Sequence, residues 1–211
     1  ELDPLMAIAT LVEPEYRKKM NKRIQSRLRS AHLRGCPQEL TNCVDSAERE
    51  YLPRGITETL STLDFIDSGL NVCILGPSDS GKSYLAKALG IVACNNYKVE
   101  YHHCETLLET LVALKAQDYS KYQKRLKKIC GAALLILDDF LLHTITDERE
   151  VKVLFEILEK RCEINLSTII CSQREPASWS SMILNDEVSA NAILKRATKH
   201  YTVVIKPNIT D

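Results

Sequence analysis

The sequence predicts an α/β protein, a parallel five-stranded sheet flanked by helices and preceded by a basic helical segment. Three observations predict it. Beyond about residue 67, apolar strand-like runs alternate with helical stretches, the pattern of a parallel sheet with crossover helices. A glycine-bearing loop, GPSDSGKS from Gly76 to Ser83, joins one such run to one such helix. A further run, LLILDDF from Leu134 to Phe140, is apolar until it meets two acids, as a strand buried on both faces should be.

The elements follow in order. From Glu13 to about Arg34 the chain is helical and basic, with Leu11, Val12, Tyr16, Met20, Ile24 and Leu28 at helical spacing. Gly35, Pro37, Asn42 and Asp45 mark a turn-rich stretch, and Pro53 and Gly55 open the next region. Thr57 to Asp67 reads as a short helix. Strands are expected at Val72–Leu75, Val99–His102, Ala133–Leu137, Leu166–Cys171 and Tyr201–Ile205. Helices are expected at Lys82–Cys94, Glu105–Leu114, Tyr119–Ile129, Asp147–Cys162 and Ser189–Ala197. The division that results is a basic helical segment over 1–50 and a nucleotide-binding core over 51–211.

Composition narrows the function classes. The 211 residues suffice for one domain with a modest appendage. The formal net charge is zero, so attraction to nucleic acid must come from local patches. Two patches qualify. One holds Arg17, Lys18, Lys22, Arg23, Arg27, Arg29 and Arg34; the other holds Lys121, Lys124, Arg125, Lys127 and Lys128. Each reads as a solvated helix face or as a contact to DNA phosphates. No apolar run reaches membrane-spanning length and the start does not read as a signal peptide, so a cytoplasmic protein is expected. The chain opens at Glu1 without Met, as a piece of a longer protein would. None of the eight cysteines forms a C-x-x-C pair, and they read as reduced, mostly buried thiols. A zinc site drawn from Cys36, Cys43, His102, His103 and Cys104 is the weaker reading.

The chemistry sits in the loop and the acids. In Gly76, Pro77, Ser78, Asp79, Ser80, Gly81, Lys82 and Ser83, the glycines let successive N–H groups turn inward on phosphate oxygens. The helix that follows adds the positive end of its dipole. Lys82 reaches the β- and γ-phosphates, and Ser83 offers its hydroxyl to Mg²⁺. Asp138 would hold Mg²⁺ directly or through water, and Asp139 would orient or deprotonate the attacking water. Ser172 and Gln173 end the fourth predicted strand and could address the γ-phosphate. On residues alone Arg196 is an arginine near a helix end.

Taken together, these motifs resemble the AAA+ branch of P-loop ATPases, and within it the IstB-like helper ATPases of insertion sequences. The resemblance runs over nearly the whole chain. It is carried by EPEYRKKMNKRIQSRLRSA, NVCILGPSDSGKSYLAKALG, LLILDDF, the RCE at Arg161–Glu163, STIICSQREPASW at Ser167–Trp179 and DEVSANAILKRATKH at Asp186–His200. It implies an ATPase using ATP and Mg²⁺ that assembles on duplex DNA with ATP between subunits and assists a transposase. It further implies that Arg196 is an arginine finger acting on a neighbouring subunit, that Ser172 and Gln173 sense the γ-phosphate, and that a lid domain is reduced or absent. Three departures bear on hydrolysis. Asp79 and Ser80 stand where small residues are usual, Asp139 is shorter than the common Glu, and Lys195 replaces an acid. Slow, DNA-stimulated turnover is the expectation. The alternatives are a DnaC-like replicative helicase loader, a binding module latched by ATP with little hydrolysis, and, less fitting, a small-molecule kinase.

Overall fold

The structure is a computed structural model and describes residues 4–183 and 187–208. Its strands are β1 (Arg49–Leu52), β2 (Val72–Leu75), β3 (Val99–His103), β4 (Leu134–Asp138), β5 (Ser167–Ser172) and β6 (Tyr201–Pro207), in the sheet order β1-β6-β2-β5-β4-β3. The helices are α1 (Pro4–Ser30), α2 (Ile56–Ser61), α3 (Asp64–Asp67), α4 (Lys82–Ala93), α5 (Cys104–Gln117), α6 (Tyr119–Cys130), α7 (Glu148–Glu163) and α8 (Glu187–Ala197). The five strands expected from the sequence are present and parallel.

The sheet has six strands instead of five. β1 lies antiparallel to β6, with Arg49 opposite Pro207 and Leu52 opposite Val204. It spans four residues and buries only Tyr51, too little for the alternation that reveals a strand. It also crosses the boundary at 50/51. The helix expected over Thr57–Asp67 is two short ones, because Leu63 takes a left-handed conformation with φ 64° and breaks the ladder between them.

The period of two along each strand divides the core. Val72 and Ile74 of β2, with Leu134 and Ile136 of β4, face the layer formed by α4 and the segment that follows α1. Cys73 and Leu75, with Leu135 and Leu137, face the layer of α5, α6, α7 and α8. Both faces are covered, which is why β2, β4 up to Asp138 and the middle of β5, Ile169–Cys171, read as apolar runs.

The amino edge of the sheet is closed by a polar belt. Arg161, 1% exposed, donates to the carbonyls of Ile129, Cys130, Ala132 and Ser167 and to the Thr168 hydroxyl. It thereby ties the end of α6 to the starts of β4 and β5. Burial pushes its guanidinium down to about 10. Asn71 accepts from the Thr168 N–H and donates to the Arg196 carbonyl, and the Ser167 hydroxyl donates to the Phe65 carbonyl. The RCE motif is therefore a scaffold feature.

Candidate active site

Because the strands are parallel, their carboxyl ends share one edge, and the loops that leave them meet there. β5 lies between β2 and β4. Residues leaving β5 are thus set between the glycine-bearing loop after β2 and the acids after β4.

The loop is tightly built. A Cβ added at Gly76 would stand 2.6 Å from the Ser80 hydroxyl and 2.7 Å from the Ile205 carbonyl, so no larger residue fits. Gly81 takes φ 102° as it opens α4, and the Arg49 guanidinium of β1 lies against it. Ser80 is 3% exposed and its hydroxyl meets no hydrogen-bond partner among the described residues. A buried hydroxyl without a partner, in a glycine-bearing loop at a helix start, suits a phosphate. Lys82 donates to the Pro77 carbonyl at 2.5 Å across the mouth of the loop. Burial lowers its ammonium below the ordinary value, and the carboxylates of Asp138, Asp139 and Asp79 oppose that shift. Asp79 is exposed with φ 58°, its carboxylate near the Ser78 hydroxyl at 3.5 Å. Pro77 and Ser78 are exposed beside it.

The acids stand in two different settings. Asp138, 1% exposed, accepts from the Ser83 hydroxyl at 3.0 Å, the Tyr101 hydroxyl at 2.6 Å and the Asp139 N–H at 3.0 Å. Burial and then the bond to Asp138 raise the Tyr101 phenol far above its ordinary value, so it stays a donor. The pairing of Ser83 with Asp138 brings together the two oxygens a Mg²⁺ ion would need, and that donor set fits it. Asp139 takes φ 53°, is about a third exposed, and pairs with His103 at 2.9 Å. Sequence reasoning missed Tyr101, and named His103 only in the zinc reading and not beside Asp139. Tyr101 lies near the end of the second predicted strand and His103 one residue beyond it, so asking which residues share the edge with the acids points to both.

Between loop and acids, Ser172 is fully buried. It donates to the Phe140 carbonyl at 2.8 Å and accepts from the Arg174 N–H at 3.1 Å. Gln173 is exposed and, with Gly76 and Pro77, lines a cleft of about 480 Å³. The loop that carries it is anchored by Trp179, fully buried, whose indole donates to the Arg174 carbonyl and packs on Phe140 at 4.8 Å. Arg196 lies elsewhere. Its guanidinium donates to the Ala192 carbonyl, approaches Glu159 at 3.5 Å and covers the Phe155 ring, while its carbonyl meets Asn71 at the amino edge. The chain does not bring it to its own phosphate loop.

The comparisons agree with this geometry. The profile of IstB-like ATP binding proteins matches residues 4–208. This chain belongs to the IstB-like ATP-binding family. A Sinorhizobium fredii relative named as an insertion sequence ATP-binding protein is 38% identical over 190 residues, 90% of this chain and 74% of the relative. A Pseudomonas aeruginosa relative, named for insertion sequence IS21, is 28% identical over 96% of this chain and 79% of its own. Among solved structures, the DnaC helicase loader aligns with TM-score 0.62 at 20% identity, over 81% of this chain and 98% of its own. AMPPCP-bound DnaA from Aquifex aeolicus aligns with TM-score 0.65 at 21% identity, over 82% of this chain and 51% of its own. These likenesses place the IstB-like chain in the AAA+ P-loop fold.

The expected DNA-contacting residues divide into two kinds. Arg17, Lys18, Lys22, Arg23 and Arg29 of α1 are exposed, the first two beside Glu13 and Glu15. Arg27 is half-buried and donates to the Cys94 and Asn95 carbonyls, capping α4. α6 buries Tyr122, Leu126, Ile129 and Cys130 and turns Lys121, Lys124, Lys127 and Lys128 outward. The two patches meet. A groove of about 480 Å³ is lined by Ser26, Arg27 and Ser30 of α1, by Lys127 and Lys128 of α6, and by Lys98. Lys98 was not singled out from the sequence, because nothing local marks it.

Proposed function

We propose that this IstB-like protein is a slow, DNA-stimulated ATPase that assembles on duplex DNA, with ATP between subunits, and helps a transposase use its target. The observation that carries the reading is the Ser83–Asp138 contact, with Asp139 next in the chain and the orphaned Ser80 hydroxyl in the loop. In this reading the loop N–H groups, Ser80 and Lys82 hold the phosphates, and Ser83 and Asp138 hold Mg²⁺. Bound there, the ion neutralises charge on the β- and γ-oxygens. Asp139 orients and accepts a proton from the attacking water, and Gln173 faces the γ-phosphate across the cleft. Ser172 positions Gln173 by holding the strand end to Phe140 and Arg174. The relatives' names supply the insertion-sequence setting.

Arg196 acts on the next subunit in this reading, since it stands at the amino edge, away from its own loop. Arg196→Ala should bind ATP yet turn it over on the order of 10³-fold more slowly. Mixed with Lys82→Ala, which has a defective pocket and an intact arginine, it should regain part of its activity. A mixture that co-assembles and stays inactive overturns the assignment.

The DNA arm is tested by salt. Affinity carried by phosphate contacts falls steeply with salt and shows little base preference. Reversing Arg23 and Lys127 should flatten the slope. Arg27 is the poorer choice, because its loss also uncaps α4. An unchanged slope assigns these faces to a protein partner, the replicative helicase of the loader reading. Turnover indifferent to duplex DNA would favour an ATP latch, which the His103–Asp139 pairing also suits.

A further inference from the structure

A second cavity, of about 420 Å³, opens beside the carboxyl end of β3. Its polar lining includes Lys87 of α4, His102 and His103 of β3, Thr106 and Thr110 of α5, and Arg125 of α6. His103 also pairs with Asp139 at the nucleotide site and Arg125 belongs to the basic patch of α6, whereas Lys87, Thr106 and Thr110 have had no role so far. Lys87 is half-buried, its ammonium 5.0 Å above the centre of the Tyr101 ring, and among the described residues no carboxylate pairs with it. Arg125 approaches Glu100 at 3.7 Å, but that carboxylate is already engaged by Lys128 at 2.8 Å and His102 at 3.0 Å. Burial alone would raise the Glu100 carboxyl; the bonds from His102 and Lys128 outweigh it, and the net shift is downward. One carboxylate is therefore shared by Lys128, Arg125 and the His102 ring, and the cavity keeps Lys87 without a carboxylate partner among the described residues.

Fixed cations around a small cavity, with the Thr106 hydroxyl beside them, are the chemistry of phosphate recognition; the Thr110 hydroxyl is spent on the Thr106 carbonyl. Its position names the source. Glu100 separates this cavity from the groove described above: Lys128 lines the groove, whereas Arg125 and His102 line the cavity. We propose that the cavity takes a phosphodiester group of the same DNA strand that occupies the groove, with Lys87 and Arg125 as its cations. The proposal rests on the DNA-binding reading. It also gives that reading a route to the acids. The His103 ring forms part of the cavity wall and at the same time bonds Asp139. A phosphate in the cavity competes with Asp139 for that ring.

The test uses Lys87→Gln, Lys87→Arg and Arg125→Gln in the full chain, with fluorescence anisotropy on labelled duplex DNA across a salt series in the presence of ATP. Lys87→Gln should lower the salt slope by about 0.9, the value of one lost phosphate contact, and weaken binding several-fold. Lys87→Arg should keep both. Arg125→Gln should repeat the loss, which guards against a folding defect peculiar to α4. In all three, nucleotide affinity and basal turnover should match wild type, while the rise in turnover on adding DNA shrinks for the two Gln variants. An unchanged slope with full stimulation overturns the cavity as a phosphate site. Nucleotide affinity that falls together with DNA affinity overturns it too, by making Lys87 a support of α4. Stimulation by inorganic phosphate alone would assign the cavity to a free anion instead of a strand. If wild type fails to bind duplex at all, the DNA reading falls and takes this one with it.

Discussion

The two edges of the sheet are built on opposite rules. At the amino edge every polar group named above has a partner inside the chain: Arg161 satisfies four carbonyls, Asn71 links α8 to β5, and Ser167 reaches α3. At the carboxyl edge Ser80 has none, Lys82 holds a single carbonyl, and Asp139 sits in a left-handed conformation. At the amino edge the polar groups are spent on the scaffold, whereas at the carboxyl edge the fully bonded Asp138 and Ser172 stand beside groups left open to a ligand. The same residue type, serine or a long cation, takes either role according to the edge.

That contrast can be broken experimentally. The largest effect is expected at Arg161. Arg161→Ala leaves several buried carbonyls without donors and should cost on the order of 3–5 kcal/mol, as losing one member of a buried charged network does. A drop of roughly 10 °C in Tm would register it. A melt unchanged within a degree would show the belt to be dispensable. Next is Asp139→Asn, which should slow turnover by about 10²- to 10⁴-fold, the range of a lost general base, while nucleotide affinity stays near wild type. Turnover that survives would move the base to another residue, His103 first. Lys82→Ala should follow, with ATP affinity down about 10- to 100-fold, since a charged hydrogen bond contributes about 1.5–3 kcal/mol. Calorimetric titration reads it directly, and equal affinity would sink the phosphate-loop assignment. The smallest effect is the sharpest comparison. Ser167→Ala should destabilise by about 1 kcal/mol, whereas Ser80→Ala should leave the melt unchanged without nucleotide. If the two serines behave alike, the contrast between edges is wrong.

Much of this was legible because the signals were long or chemically dense. β2, β4 and the middle of β5 show as apolar runs, and the loop and the acid pair mark themselves by residue type at fixed places on strands. β1 was not legible, since a four-residue edge strand with one buried side chain leaves almost no pattern. Tyr101 and His103 were hidden for another reason. They act through the register that sets His103 beside Asp138, and no local spacing in the sequence announces it. The roles of Arg27 and Arg161 depend on carbonyls more than 25 residues away, so each looked like a surface charge or a motif residue until its partners were known.

The first fifty residues also bear on how the molecule could be cut. β1 covers the backbone of β6 at one side of the sheet, while α1 lies against β3 at the other and Leu33, in the turn after it, packs over Gly90 of α4 near Val99. The N-terminal segment thus brackets the sheet from both sides, like a strap passed around a stack of slats. Severing the chain at residue 50 would split β1, loosen its hold on β6 and strip the cover from β3, and raw strand edges invite pairing with other copies. The nucleotide-binding half is accordingly not a cassette that can be lifted free. A protease that nicks the turn-rich stretch between α1 and β1 should yield two fragments that stay together; parting them leaves β1 on β6 but strips the cover from β3, which should bring the larger fragment out of solution.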